Sequence, residues 1–170
     1  MCPWSRCSPT AFWIAFQKAE PEGHRVAARW LPGDLALPAG TYLDELMGAI
    51  ARLAAVSLDT SDPAGLATFY RRLLDLEVFF ESDDFVALKG AGILITTQRV
   101  EDHRTPSWPG GPAPKQLHLE FAVSDLEKAE AQALAIGATK PDTQPNPDHW
   151  RVLLDPAGHP FCITTLIPEV

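Results

Sequence analysis

The 170-residue sequence predicts an α+β fold in which one βαβββ unit is used twice. The stretch His118-Leu-Glu-Phe-Ala-Val-Ser-Asp125 is echoed roughly 60 residues upstream by Ala55-Val-Ser-Leu-Asp-Thr-Ser-Asp62. In both copies an alternating strand ends at an Asp that opens a helix with one apolar face, and further short strands follow. We expect the two units to pair into a curved mixed sheet that forms a cleft, with the helices outside.

The first unit is predicted over residues 47–98. Leu53–Asp59 alternates apolar and polar residues and reads as a strand. Asp62 is a helix N-cap with Pro63 at the first helical position, where the missing N–H costs nothing. Three short strands follow the helix, and they are predicted at Leu76–Glu81, Phe85–Lys89 and Ile93–Gln98.

A proline-rich connector, residues 99–115, joins the two units. Its four prolines and its Gly110-Gly111 pair predict a stiff, extended spacer that cannot join a sheet ladder. Trp108 in this segment is expected to be exposed. It either packs on its own domain as a loop tip or covers a pocket as a lid.

The second unit is predicted over residues 116–168. Gln116–Val123 is its first strand, and Asp125 caps a helix that ends at Gly137. The remaining strands are predicted at Ala138–Lys140, as a short edge strand, and then at Trp150–Leu154 and Phe161–Leu166, with a tight turn at residues 155–158 between the last two.

Residues 1–46 have a different composition from the rest, with three of the five tryptophans, two of the three cysteines and no sustained period. One interpretation is a genuine N-terminal extension that packs on the domain or on a partner. The other is that Met47 is the natural start and that residues 1–46 are not native sequence. The mass of the natively expressed protein separates the two interpretations.

The bulk composition excludes several classes of partner. The formal net charge is -8 with no run of Lys or Arg, so nucleic acid and anionic membranes are poor partners. No apolar stretch approaches the roughly 20 residues of a membrane span. Cys2, Cys7 and Cys162 make no disulfide framework, which indicates a reducing compartment. We expect a soluble, cytoplasmic protein.

Four motifs together resemble the glyoxalase-like branch of the vicinal oxygen chelate superfamily, which includes the glyoxalase, bleomycin-resistance and dioxygenase families. They are the helix start Asp62-Pro-Ala-Gly-Leu-Ala-Thr-Phe-Tyr70, the strand Gln116-Leu-His-Leu-Glu120, the helix start Asp125-Leu126, and the hairpin Trp150-Arg-Val-Leu-Leu-Asp-Pro-Ala-Gly-His-Pro-Phe-Cys162. The match covers Met47 to about Pro168. It implies the paired βαβββ fold and a homodimer, and it leaves the activity to be argued from the site.

Metal-using members of that superfamily take four ligands, usually His, Gln or Glu, from the first and last strand of each unit. Carried onto this chain, His118 fits, Ala55 cannot ligate, and Cys162 stands where the family writes Glu. The last strand of the first unit offers no carboxylate. A catalytic site usually keeps about three protein ligands, so no metal cofactor is expected. If a divalent metal binds at all, its ligands are His118, Glu120 and Cys162.

His118 and Glu120 are also the candidate catalytic residues for metal-free proton transfer in an apolar-walled cleft, because residues two apart on a strand share a face. Alternatively, Glu120 binds Arg151 or another cation and serves only structure. The other candidate ligand-binding residues are Ser57, Trp108, Trp150, Arg151, Cys162 and Thr164.

Two of these candidates exclude each other. Trp150 and Arg151 are neighbours on one strand, so only one of them can point into the cleft. The remaining histidines, His103, His149 and His159, are interpreted as loop and turn residues rather than ligands.

Three functions remain open. The first is a metal-independent binding protein of the bleomycin-resistance type, which holds a small organic ligand in the cleft. The second is a lyase or isomerase that moves a proton next to a carbonyl, with or without a metal. The third is a structural or regulatory dimer, in which the protein's own side chains would fill the cleft.

Overall fold

The computed structural model describes residues 53–90 and 92–167, so the predicted extension over residues 1–46 and the start at Met47 lie outside it. The elements in order are β1 Ala55–Thr60, α1 Pro63–Leu74, β2 Glu77–Ser82, β3 Phe85–Lys89, β4 Leu94–Arg99, β5 Leu119–Ala122, α2 Leu126–Ala135, β6 Trp150–Leu154 and β7 Pro160–Thr164. Neither of these helices is long and apolar enough to cross a bilayer.

The strands form one sheet in each unit. The first sheet has the order β1-β4-β3-β2, and its β2, β3 and β4 pair antiparallel. The second has the order β5-β7-β6, with β5 parallel and β6 antiparallel to β7. The strand predicted at Ala138–Lys140 is a single antiparallel bridge between Thr139 and Leu154. The predicted fold of two βαβββ units with mixed sheets is confirmed.

Both helices begin where the capping residues predict. The Asp62 carboxylate accepts a hydrogen bond from the Gly65 amide at 3.0 Å, and Pro63 is the first helical residue. The Asp125 carboxylate accepts from the Lys128 amide at 2.9 Å. These bonds satisfy amides that the helices themselves cannot, which is why each helix starts at its Asp.

One hydrophobic core joins the two units. The α1 side chains of Phe69 and Tyr70 are buried, and their rings lie 5.9 Å from Phe161 and 6.5 Å from Phe121 respectively, measured between centroids. The Tyr70 hydroxyl also donates a hydrogen bond to buried Asp155 at 2.9 Å. The helix of the first unit therefore packs against strands of the second, and both units depend on the same core.

The connector is not the extended spacer that its prolines predicted. Ser107 and Pro114 form a parallel bridge, and the Ser107 amide donates to the Ala113 carbonyl at 2.7 Å. The Trp108 indole donates to the Thr143 carbonyl at 3.1 Å, so Trp108 is half-buried rather than exposed. The bridge forms within a proline-rich segment because Ser107 keeps its amide proton and Ala113 supplies the carbonyl that accepts it.

Candidate functional site

The site lies on one face of strands β5 and β7, the face that points away from the hydrophobic core. Parallel pairing places Glu120 opposite Cys162, and the side chains of a strand alternate between its two faces. Leu119 and Phe121 pack against the core, together with Phe161. Their neighbours Glu120 and Cys162 therefore share the opposite face, and His118 joins them from the residue just before β5.

The three predicted metal-site residues are brought together. One ligand atom from each of His118, Glu120 and Cys162 lies within 4.8 Å of the other two. His118 Nε2 is 3.3 Å from Glu120 Oε1. The side chain of Glu120 is 53% exposed, so it is not enclosed by the apolar walls that the sequence predicted, whereas Cys162 is 6% exposed.

Lys115 is a fourth member of the cluster, and the sequence analysis missed it. Its ammonium lies 3.3 Å from His118 Nδ1 and 5.3 Å from the centroid of the Trp108 ring. The only signal in the sequence is weak: Lys115 is the one Lys or Arg between Arg104 and Lys128. It lies only three residues before His118, and its contact with His118 depends on the conformation of the irregular segment between them.

The contacts of His118 indicate which of its nitrogens carries a proton. An ammonium group only donates hydrogen bonds, so His118 Nδ1 must accept from Lys115. A neutral imidazole then has its proton on Nε2, where it can donate to the Glu120 carboxylate. We assign this tautomer, in which Lys115, His118 and Glu120 form one chain of polar contacts.

The thiol of Cys162 responds to both charges of this chain. Burial raises the pKa of Cys162 above its ordinary value, the negative charge of Glu120 raises it further, and the positive charge of Lys115 lowers it. The thiol is therefore protonated at neutral pH. It is an unreactive lining group unless a cation displaces its proton.

The donor set fits a divalent metal in part. Thiolate, imidazole and carboxylate are the ligands that zinc takes in proteins, and three of them meet here. However, a histidine that binds metal through Nε2 keeps its proton on Nδ1, where the Lys115 ammonium now lies at 3.3 Å. A metal therefore fits these residues only if Lys115 moves away.

Two other predicted residues, Trp150 and Thr164, lie on the same sheet face as Cys162. The Thr164 hydroxyl is already hydrogen-bonded within the protein. Trp150 pairs with Thr164, and Thr164 is two residues from Cys162 on the same side of β7. The Thr164 hydroxyl donates to the His149 carbonyl at 3.2 Å and accepts from the Leu166 amide at 3.1 Å. Ser57 lies on β1 of the other sheet, where it is exposed.

Arg151 lies on the opposite face from Trp150. Its guanidinium contacts the carboxylates of Glu127 and Glu130 on α2, the second at 2.9 Å. Burial acts to raise the pKa of Glu130, but hydrogen bonds from Lys140 and Arg151 outweigh it and lower that pKa. Arg151 therefore joins α2 to β6 and does not lie with the cluster.

The two threonine hydroxyls in the last strand of the first unit, β4, form hydrogen bonds within the protein. The hydroxyls of Thr96 and Thr97 donate to the carbonyls of Val56 and Pro63.

A surface depression of about 720 Å³ lies elsewhere, at the C-terminal end of α1. Its lining residues are Thr68, Arg71, Arg72, Asp75, Leu76, Glu77 and Val78, none of which is a predicted site residue.

Solved structures with a similar fold share little sequence with this chain. A glyoxalase/bleomycin resistance protein/dioxygenase family enzyme from Burkholderia phytofirmans is 24% identical, with a TM-score of 0.53 over 69% of this chain and 100% of that one. A fosfomycin resistance protein mutant from Listeria monocytogenes, complexed with Mn(II) and a dihydroxypropylphosphonic acid, is 13% identical, with a TM-score of 0.55 over 70% and 95%. A possible glyoxalase from Bacillus cereus is 14% identical, with a TM-score of 0.51 over 68% and 99%.

The comparison of sequences gives the family. No functionally curated protein matches the chain. The model of the glyoxalase-like domain family matches residues 55–164, from β1 to the end of β7 and over both βαβββ units. The resemblance carried by the helix starts and the final hairpin is thus confirmed: the chain has the fold of the vicinal oxygen chelate superfamily, and it belongs to the glyoxalase-like domain family.

Proposed function

We propose that this protein binds a small organic ligand, without a metal, at the cluster of Lys115, His118, Glu120 and Cys162. The observation that carries the proposal is the chain of contacts from Lys115 to His118 to Glu120. Both ring nitrogens of His118 have protein partners in this arrangement, so no metal is needed to satisfy or orient the ring.

The chemistry of the cluster favours a ligand that carries an anionic or carbonyl oxygen. Lys115 provides the positive charge, and Glu120 provides an acceptor for a hydroxyl or amine of the same ligand. The ring of Trp108 lies beside Lys115, and Trp150 lies on the same sheet face as Cys162. Two aromatic rings and a few polar groups are the usual composition of a site for small organic molecules.

A lyase or isomerase is the second candidate, and the proximity of three ligand atoms within 4.8 Å favours it. A metal at His118, Glu120 and Cys162 would polarise a carbonyl oxygen of the substrate. In a metal-free reaction, Glu120 would take the proton next to the carbonyl and His118 would orient its carboxylate at 3.3 Å.

Metal content separates these candidates. We would measure metal per chain in the full-length, tag-free protein, in His118→Ala and in Lys115→Met, after loading with zinc, manganese, nickel or iron. The proposal predicts that this cluster holds no tightly bound metal in the wild type. It also predicts that Lys115→Met gains affinity, because the ammonium no longer blocks Nδ1. About one equivalent in the wild type that His118→Ala abolishes would contradict metal-free binding.

Ligand binding tests the proposal directly. A panel of small carboxylates and carbonyl compounds would be screened by thermal shift, with Lys115→Met as the test variant and Lys128→Met, the same change at an exposed lysine of α2, as the control. Saturable binding that Lys115→Met weakens and Lys128→Met leaves unchanged supports the proposal. Turnover that is lost in Glu120→Gln while binding remains would identify an enzyme. The absence of saturable binding throughout would favour the structural dimer.

A further inference from the structure

Two histidines that the sequence analysis assigned to loops face each other at a second place on the molecule. His103 lies in the connector, and His159 lies in the hairpin loop just before β7. Their ring centroids are 5.4 Å apart, with the ring planes at 57°. This pair is separate from the cluster at His118 and shares no residue with it.

Each ring already has a hydrogen-bond partner on one nitrogen. His159 Nδ1 lies 3.0 Å from Asp155 Oδ2, and His103 Nε2 lies 3.2 Å from the Ala157 carbonyl oxygen. Both partners are acceptors, so these two nitrogens carry the protons. In the neutral rings the lone pairs then remain on His159 Nε2 and His103 Nδ1, which are free to bind an electrophile.

Asp155 holds its histidine firmly. Its side chain is fully buried, one oxygen accepts from the amides of Ala157 and His159 at 2.9 Å each, and the other accepts from Tyr70. A buried carboxylate that accepts a hydrogen bond from a histidine fixes the orientation of the ring and the position of its proton. This arrangement typically stands behind histidines that bind metals.

The ring separation also suits a shared metal ion. Metal-to-nitrogen distances of about 2.0 to 2.1 Å place each ring centre about 3.1 Å from the ion. If both free nitrogens are directed at one ion, ring centres 5.4 Å apart subtend an angle of roughly 120° at it, within the range of four-coordinate sites.

The connector and the hairpin approach each other closely beside the pair. A Cβ atom at Gly158 would lie 2.1 Å from Thr105 Cγ2, so residue 158 must be glycine for the connector to approach the hairpin. Gly158 also has a positive φ of 86°, which glycine adopts without strain. This contact brings the backbone segments that carry His103 and His159 together.

We propose that His103 and His159 bind a divalent transition metal of the zinc, copper and nickel group, through His103 Nδ1 and His159 Nε2. Imidazole nitrogen is a preferred ligand of these ions. The site has two protein ligands, fewer than the three or four of catalytic and structural zinc sites, so water would have to fill the remaining positions of the ion. The bound ion would join the connector to the hairpin of the second unit.

Zinc titration of the full-length protein tests the proposal. Calorimetry would use a His118→Ala/Cys162→Ser background, or His118→Ala alone if the double variant is unstable, so that the first cluster contributes nothing. One equivalent of Zn²⁺ should bind. His103→Ala and His159→Ala should each weaken binding by about tenfold or more, because each removes one of two protein ligands. His149→Ala, which alters an exposed histidine one residue before β6, is the matched control.

The ring nitrogens provide a second readout that does not depend on affinity. Nitrogen NMR of the histidine rings should show the proton of His159 on Nδ1 and that of His103 on Nε2, and Zn²⁺ should shift the other two nitrogens. Equal Zn²⁺ binding in both alanine variants would overturn the proposal. The opposite tautomers, or no shift of these nitrogens with Zn²⁺, would overturn it as well.

Discussion

At the scale of the residue, Cys162 lies between two opposite charges. Burial and the charge of Glu120 raise the pKa of its thiol, and the charge of Lys115 lowers it. Because the two charges act in opposite directions, removing one of them should move the thiol pKa in a direction that the structure specifies. The reactivity of the thiol therefore reports whether Lys115 and Glu120 lie where the structure places them.

We predict that Glu120→Gln lowers the pKa of Cys162 and that Lys115→Met raises it. At a fixed pH near 8, alkylation by iodoacetamide should be roughly two- to tenfold faster in the first variant and slower in the second, since the thiolate is the reacting form. Mass spectrometry of the Cys162 peptide separates it from Cys2 and Cys7. Ser57→Ala is the control, and equal rates in all variants would show that neither charge acts on the thiol.

At the scale of the element, the start of α1 depends on a close contact between the cap and the first turn. The Asp62 carboxylate accepts from the Gly65 amide at 3.0 Å, and a Cβ atom at position 65 would lie 2.1 Å from Asp62 Oδ2. Alanine normally stabilises a helix relative to glycine, by about 1 kcal/mol. Here the added carbon would displace the carboxylate that caps the helix.

We predict that Gly65→Ala destabilises the wild type but stabilises Asp62→Ala. Asp62→Ala alone should cost about 1 kcal/mol through the lost cap. In that background the space at residue 65 is open, and Gly65→Ala should recover up to about 1 kcal/mol through helix propensity. Urea unfolding of the four proteins measures the cycle. If the two effects are additive, the contact between Asp62 and residue 65 does not limit the helix.

At the scale of the whole molecule, Tyr70 joins the two βαβββ units. It lies on α1 of the first unit, and its hydroxyl donates to Asp155 in the final hairpin of the second at 2.9 Å. Burial, followed by the charge of Asp155 and the hydrogen bond to it, raises the pKa of Tyr70 far above its ordinary value. In the folded protein Tyr70 therefore stays protonated at alkaline pH.

We predict that Tyr70→Phe costs about 1 to 3 kcal/mol at neutral pH, because buried Asp155 loses one donor. The raised pKa adds a dependence on pH. The contribution of Tyr70 is complete below about pH 10, the pKa of unfolded tyrosine, and is lost as the pH rises above it. Wild-type stability should thus fall by up to about 1.4 kcal/mol per pH unit above pH 10 from this group.

The matched control for this experiment is Tyr42→Phe, at the only other tyrosine of the chain. Urea unfolding between pH 7 and 11 should show the alkaline loss in the wild type and in Tyr42→Phe, and a shallower loss in Tyr70→Phe. An equal slope in all three proteins would show that Tyr70 ionises as easily when folded as when unfolded. The homodimer that the family resemblance implies stays a prediction.

The sequence by itself determined the fold and the position of most elements. The features that predicted the elements are local: alternating strands, an Asp at each helix start and a glycine near the end of α2. Each depends on neighbours within a few residues, so each can be recognised without tertiary information. Phe85–Lys89 and Trp150–Leu154 have the predicted bounds. The grouping of His118, Glu120 and Cys162 was also accessible, because alternation and the order of strands place them on one face.

Only the tertiary structure decided which groups surround that cluster. Lys115 contacts His118 through the irregular segment just before β5, and His103 contacts His159 because the connector folds back onto the second unit. Arg151 binds glutamates of α2, and its neighbour Trp150 therefore lies on the sheet face that carries Cys162. These contacts join residues that are distant in sequence or lie in an irregular loop, and their geometry depends on packing and backbone hydrogen bonds that no local period encodes.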